Sequence, residues 1–256
     1  MTTPKVETVS IGGQRHYVHP VTGQQVPSVT SILNVMDKPA LVPWACKSVA
    51  EFAVANKDSW VGLPDDAAID MLKKSPYRTR DKAASVGTDA HSVLELLANG
   101  IIPTFIPPDV PQHVFNGIIE FWTKHQPRVI ACEQTVWNAT IGYAGSFDLI
   151  AEIDGEVTLI DLKTSSGVYG SMGLQLAAYA RGEEIIDENG QTSPMPQVTR
   201  FAILHIPQNA KTWKFQPMDV TDTEFNAFVM ARGLFAWKAS RENNIVVKTG
   251  RKKAAA

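Results

Sequence analysis

The stretch that decides the fold is Phe147–Ser165, FDLIAEIDGEVTLIDLKTS. Its centre, Asp154-Gly155, is a two-residue hairpin signal, because both central positions of such a turn favour positive φ. Counting outward from that turn pairs Ile153 with Glu156, Glu152 with Val157 and Ile150 with Leu159, and it sets Asp148 opposite Asp161. Directly opposed residues hold their Cβ atoms about 4.5–5.5 Å apart. Two carboxylates that close repel unless a cation or a shared proton lies between them. Side chains alternate along a strand, so Lys163 points to the same face as Asp161. A four-residue loop around the same dipeptide preserves the pairing, whereas a bulge would destroy it. Two readings of the three charges follow. Either Lys163 neutralises the aspartates at a strand end, or the acids hold a divalent cation. Hard oxygen donors suit Mg2+ or Mn2+, and such an ion can acidify a water and neutralise a phosphodiester.

Outward from the hairpin, RVIACEQTVWN and YAGSFDLIAEI read as strands, as do EVTLIDLKTS, VTRFAILHIP and TWKFQPM. EEIIDENGQTSPMPQ reads as a surface loop with turn residues at its centre. MGLQLAAYARG and TDTEFNAFVMARGLFAWKAS read as helices. Upstream, TRDKAASVGTDAHSVLELLANG is helical, with a break expected at Gly87. Its apolar stripe is Ala90, Val93, Leu94 and Leu97, and Asn99-Gly100 stops it. PPDVPQHVFNGIIEFWTKHQ is a further amphipathic helix. RHYVHPVTGQQVPSVTSIL predicts a hairpin turning near Thr22-Gly23, then a helix capped by Ser28. PALVPWACKSVAEFAVAN and PDDAAIDMLKK extend a helical N-terminal region. The fold class is therefore α/β. The division predicted is an N-terminal hairpin and helical region over 1–78, a core over 79–245, and a basic flexible tail over 246–256, whose Lys248–Lys253 run could instead contact phosphates.

The totals of 24 basic and 26 acidic residues, for a net charge of −2, argue against a surface that binds nucleic acid throughout but allow a local basic groove. No run of about 18 apolar residues is present, so no membrane association is expected. The N-terminus lacks the apolar segment of a secretory signal. Both cysteines, Cys46 and Cys132, are expected as reduced thiols. They are too few for a typical iron–sulfur cluster. No Walker A, HExxH, GxSxG or dinucleotide fingerprint occurs.

Asp148 followed by Asp161-Leu162-Lys163 resembles the core motif of the PD-(D/E)XK nuclease superfamily, in its RecB-like phage exonuclease branch. GTDAHSVLE resembles that branch's helical histidine motif, CEQTVW supplies Glu133, GSFDLI resembles its Gly-x-x-Asp strand, and QLAAY resembles its Gln-x-x-x-Tyr motif. The likeness spans about Arg80 to Pro207. It implies a restriction-endonuclease-like core, a mixed central sheet flanked by helices. It also implies a Mg2+- or Mn2+-dependent deoxyribonuclease acting from a DNA end, in phage recombination or DNA processing within the cytoplasm of an infected bacterial host. His91, Asp148 and Asp161 become metal ligands together with the Leu162 carbonyl. Asp161 is also catalytic, Lys163 is the catalytic lysine, and Glu133 is a supporting acid. Gln175 and Tyr179 contact DNA or orient the site. The partners implied are DNA and either a recombination protein or further copies of the chain. The cysteine count departs from the branch members that carry a cluster, so no iron–sulfur cluster is expected.

Each residue also has a plainer reading. His91 could pair with Glu95 one helical turn on. Glu133 could face solvent, and Gln175 and Tyr179 could serve only packing. Arg78, Arg80 and Lys82 are either a solvated helix face or phosphate contacts. The tryptophans are expected as core or element-packing residues rather than as base-stacking platforms, and His16 and His19 are not expected to be ligands. A catalytically silent DNA-binding or inhibitory module and a structure-specific endonuclease stand as alternatives to the exonuclease.

Overall fold

A computed structural model of the chain describes residues 6–242 and residue 245. The basic run Lys248–Lys253, and with it the predicted tail, lies outside the described residues. The chain opens with β1 (Thr8–Ile11), β2 (Gln14–Val18) and β3 (Gln25–Pro27), which form an antiparallel sheet. The turn between β2 and β3 passes through Gly23 at φ 69°, as the Thr22-Gly23 signal predicts. Ser28 then caps α1 (Val29–Leu33), accepting a hydrogen bond from the Ser31 N–H. Next come α2 (Leu41–Ala55), α3 (Lys57–Trp60), α4 (Asp65–Lys73), α5 (Ser75–Ala98) and α6 (Gln112–His125). Helix α5 runs without interruption through Gly87 and through position 78, so the expected break is absent. A Cβ built on Gly87 would lie 3.7 Å from Thr164 Oγ1, so this glycine faces a neighbouring loop in ordinary contact.

The two stretches predicted as single strands each divide. RVIACEQTVWN becomes β4 (Arg128–Cys132) and β5 (Thr135–Asn138), and YAGSFDLIAEI becomes β6 (Tyr143–Ser146) and β7 (Leu149–Ile153). Strand β8 (Glu156–Lys163) follows, then α7 (Gly170–Ala180). The expected surface loop instead contributes a short hairpin, β9 (Glu184–Ile186) and β10 (Thr192–Pro194). Its backbone pairs with β5, a long-range partner that local turn chemistry does not reveal. Strands β11 (Arg200–His205) and β12 (Lys214–Pro217) precede α8 (Asp222–Ser240). Thr221 and Glu224 close a capping box at the start of α8.

The central sheet has five strands in the order β12-β11-β8-β7-β4. Only β8 and β11 run parallel, so the sheet is mixed. A second sheet orders β10-β9-β5-β6. Alternation along the central strands feeds two apolar cores. Ile150, Leu159 and Ile203 pack with α1, α7 and α8 through Val29, Ile32, Leu176 and Phe228. Leu149, Ile160, Leu162 and Leu204 pack on the opposite face with Val93, Leu94, Ile118 and Phe121 of α5 and α6. Trp137 is fully buried in the core, whereas Trp44 and Trp237 are partly exposed on their helices. Helix α2 explains Trp44: its only buried residue is Ser48.

Candidate metal centre

The β7–β8 hairpin turns at Asp154-Gly155, with φ 56° and 81°. Its register runs from Ile153↔Glu156 to Leu149↔Ile160, the pairing counted from the sequence. The ladder stops one step short of Asp148 and Asp161. There the chain bends, and Asp148 Oδ2 accepts a hydrogen bond from the Leu162 N–H at 2.6 Å. A carboxylate thereby takes the donor that the next residue pair would have occupied.

Glu133 stands at the matching break, between β4 and β5, and not within a strand as expected. Its φ is 49°, uncommon for a residue with a side chain. The two breaks are bonded to each other: the Glu133 N–H donates to the Asp148 carbonyl (2.9 Å) and the Phe147 N–H to the Gln134 carbonyl (3.1 Å). Both acids therefore sit where an antiparallel pair of strands leaves the central sheet for the second one.

Helix α5 delivers His91 to this point. Nδ1 of His91 lies 3.2 Å from Asp148 Oδ1 and 3.4 Å from Glu133 Oε1. Ligand atoms of His91, Glu133 and Asp148 all fall within 4.8 Å of one another. The plainer pairing of His91 with Glu95 is not the one His91 makes with these two acids. Asp161 is ion-paired with Lys163. It is only 2 % exposed, and the Lys163 ammonium faces one of its carboxylate oxygens, Oδ2.

Burial opposes charge on His91, Asp148, Asp161 and Lys163, and attraction to neighbours outweighs it at all but Asp161. For His91, desolvation is the largest effect and lowers the pKa, but Asp148 and Glu133 together outweigh it and raise it to about 10. Asp148 is likewise penalised by burial, yet the charges of His91 and Lys163 and the Leu162 N–H hold its carboxyl below the usual range. Asp161 goes the other way, because burial and the neighbouring Asp148 outweigh Lys163. Lys163 is raised despite burial by Asp161 and Asp148.

A cavity of about 260 Å3 joins His91, Asp148, Asp161 and Lys163 to Gln175 and Tyr179 of α7. Gln175 Nε2 donates to Tyr179 Oη at 2.8 Å, so these two share one helix face on the cavity wall. Gly145 makes the approach of Tyr179 feasible. A Cβ there would meet Tyr179 Cε1 at 2.8 Å and Val29 Cγ2 at 3.2 Å. Leu162 turns its side chain into the α5/α6 core, and its N–H orients Asp148.

Arg78, Arg80 and Lys82 do not line this cavity. All three are exposed on α5. Arg78 donates to the Met71 carbonyl and lies over Phe52, and Arg80 pairs with Asp81 and lies over Tyr77. Sequence reasoning missed Arg15, Tyr17, Ser28 and Thr30, which the N-terminal hairpin and α1 bring to the same cavity. Arg15 Nη2 donates to Thr30 Oγ1 (3.2 Å), and Tyr17 Oη lies 3.2 Å from Ser146 Oγ. The available signal was the pair of alternating strands flanking Gly23, which places Arg15 and Tyr17 on one face. Nothing local to them says which surface that face covers.

No protein-family model matches the sequence, and no curated protein matches it. No helix of the described residues is long and apolar enough to cross a membrane.

Proposed function

We propose that the chain hydrolyses DNA phosphodiester bonds with a divalent cation, Mg2+ or Mn2+, working from an end. The observation that carries this reading is the meeting of His91, Glu133 and Asp148 within 4.8 Å, beside the pair of buried Asp161 and half-buried Lys163. The donor set suits such an ion. Two buried carboxylates and an imidazole converge, and a third carboxylate, Asp161, is buried with Lys163 as its ion-pair partner. An arrangement of that kind is costly by itself and is relieved by a dication.

His91, Asp148 and Asp161 would hold the ion, with the Leu162 carbonyl and Glu133 in support. Once bound, the ion supplies an acidified water and neutralises charge on the phosphodiester. The protein's own groups do the rest. The Leu162 N–H fixes the orientation of Asp148. Lys163, kept protonated by Asp161 and Asp148, stabilises negative charge as it develops on the phosphoryl oxygens. Gln175 and Tyr179 steer the strand along the cavity wall. The leaving 3′ oxygen takes its proton from solvent. A place in phage recombination or DNA processing, in the cytoplasm of an infected bacterial cell, follows from the family resemblance.

The test is incubation of end-labelled linear duplex with Mn2+, beside a Lys163→Ala variant and a closed circular substrate. Wild type should shorten the linear DNA from its ends and spare the circle. Lys163→Ala should lose at least about 100-fold in rate while keeping its circular dichroism spectrum. Linear DNA left intact by both proteins would favour a silent DNA-binding module, and equal cutting of circles would favour an endonuclease.

A further inference from the structure

One side chain ties the loop after Lys163 to two other elements. Gln208, just past β11, donates from its backbone N–H to the Thr164 carbonyl at 3.2 Å. Its Nε2 donates to Thr164 Oγ1 and to the Ala83 carbonyl of α5, each at 3.1 Å. On the same side, the Ile206 N–H donates to the Lys163 carbonyl at 2.9 Å. Nε2 of His205 lies 2.8 Å from the Ser165 carbonyl; facing an acceptor, it carries the proton and donates. Gly87 of the helix also faces this loop, since a Cβ built on it would lie 3.7 Å from Thr164 Oγ1.

The placement of these bonds gives them a consequence. Ala83 precedes His91 by eight residues on one unbroken helix, about 12 Å along its axis. Ala84 and Gly87, between them, line the cavity. Thr164 directly follows Lys163. A bond from Gln208 to both sides therefore fixes how far α5 stands from the end of β8.

We infer that Gln208 is a positioning residue, which sets the separation between the helix that brings His91 and the strand end that brings Asp161 and Lys163. This rests on the reading of those residues as a dication site. Groups bonded directly to metal ligands commonly matter about 10- to 100-fold in affinity or activity, and Gln208, which acts one step further out through Thr164 and Ala83, should reach no more than the low end of that range.

The experiment is titration of the full chain with Mn2+ alone, following free Mn2+ by electron paramagnetic resonance, with thermal unfolding measured on every variant. Gln208→Leu should weaken Mn2+ binding about 10-fold at a nearly unchanged unfolding midpoint. Thr164→Val, which keeps shape but removes the hydroxyl, should lose part of that affinity, and Thr164→Ser should restore it. The double variant should bind no more weakly than Gln208→Leu alone, because the bond lost in Thr164→Val is one of the two that Gln208→Leu already removes. Should Gln208→Leu fail to fold, the Thr164→Val and Thr164→Ser pair decides the matter. Affinity within about twofold of wild type in folded Gln208→Leu, or losses that simply add, overturns the inference while leaving the metal site intact. Wild type that binds no Mn2+ overturns the metal reading itself, and this inference with it.

Discussion

Glu133 adopts a backbone conformation that side chains rarely take, and it does so beside a half-buried histidine and a buried aspartate. Unusual backbone of this kind persists where surrounding structure over-determines it, and it collects at functional sites. The charge balance of the cluster yields a pH prediction for the metal-free protein. The folded-state pKa of His91 is about 10, above its ordinary 6.5. The stability this raised pKa contributes is fully present below pH 6.5 and is lost as pH rises through 10. In the presence of a chelator, the gap in unfolding temperature between wild type and His91→Ala should narrow steadily from pH 7 to pH 10. A constant gap would mean that His91 is not held charged by its two acids. Protonated imidazole cannot ligate, so Mn2+ should bind more tightly as pH rises and should release protons on binding, which calorimetry in buffers of different ionisation enthalpy would read.

At the scale of elements, glycine and caps do identifiable work. Gly145→Ala forces a methyl against the Tyr179 ring and Val29, both buried, and should cost about 1–3 kcal/mol in urea unfolding. A neutral result would mean that α7 can shift without penalty. Thr221→Ala removes the cap of α8 and should cost about 1 kcal/mol near neutral pH. Its partner Glu224 has a folded-state pKa below its ordinary value, chiefly because the Thr221 N–H donates to it. The capping-box contribution is therefore present above that ordinary value and fades as pH falls through the folded one. The difference between wild type and Thr221→Ala should be smaller in acid than at pH 7. The elements most legible in the sequence were those with strong local signals. The Asp154-Gly155 turn fixed the register of β7 and β8, and Ser28 and Asn99-Gly100 marked helix ends. The breaks at Glu133 and Phe147-Asp148 were not legible, because neither Glu133-Gln134 nor Phe147-Asp148 carries a Gly or Pro turn signal. What divides those strands is their pairing with different sheets. Gly87 shows the converse error, a helix-weakening residue that tertiary contact accommodates.

For the molecule as a whole, the candidate site is assembled from segments far apart in the chain. Helix α5 brings the histidine, two strand breaks bring Glu133 and Asp148, and the end of β8 brings Asp161 and Lys163. Hairpin register made Asp148, Asp161 and Lys163 legible before any coordinates, whereas His91 and Glu133 entered only through the resemblance to nuclease motifs. The contribution of the N-terminal hairpin was not legible, because the docking of Arg15 and Tyr17 on the cavity depends on the Ser28–Ala144 bridge and on the packing of Val29 and Ile32 against the central sheet. The basic residues Arg78, Arg80 and Lys82 were legible only as charge, and they sit away from the cavity. The most direct test of the account is diffraction from crystals soaked in Mn2+, with anomalous scattering collected near the manganese edge. A peak should appear among His91, Asp148 and Asp161, with the Asp161–Lys163 pair loosened. A map with no peak there, and with His91 still bridging Glu133 and Asp148, would contradict it.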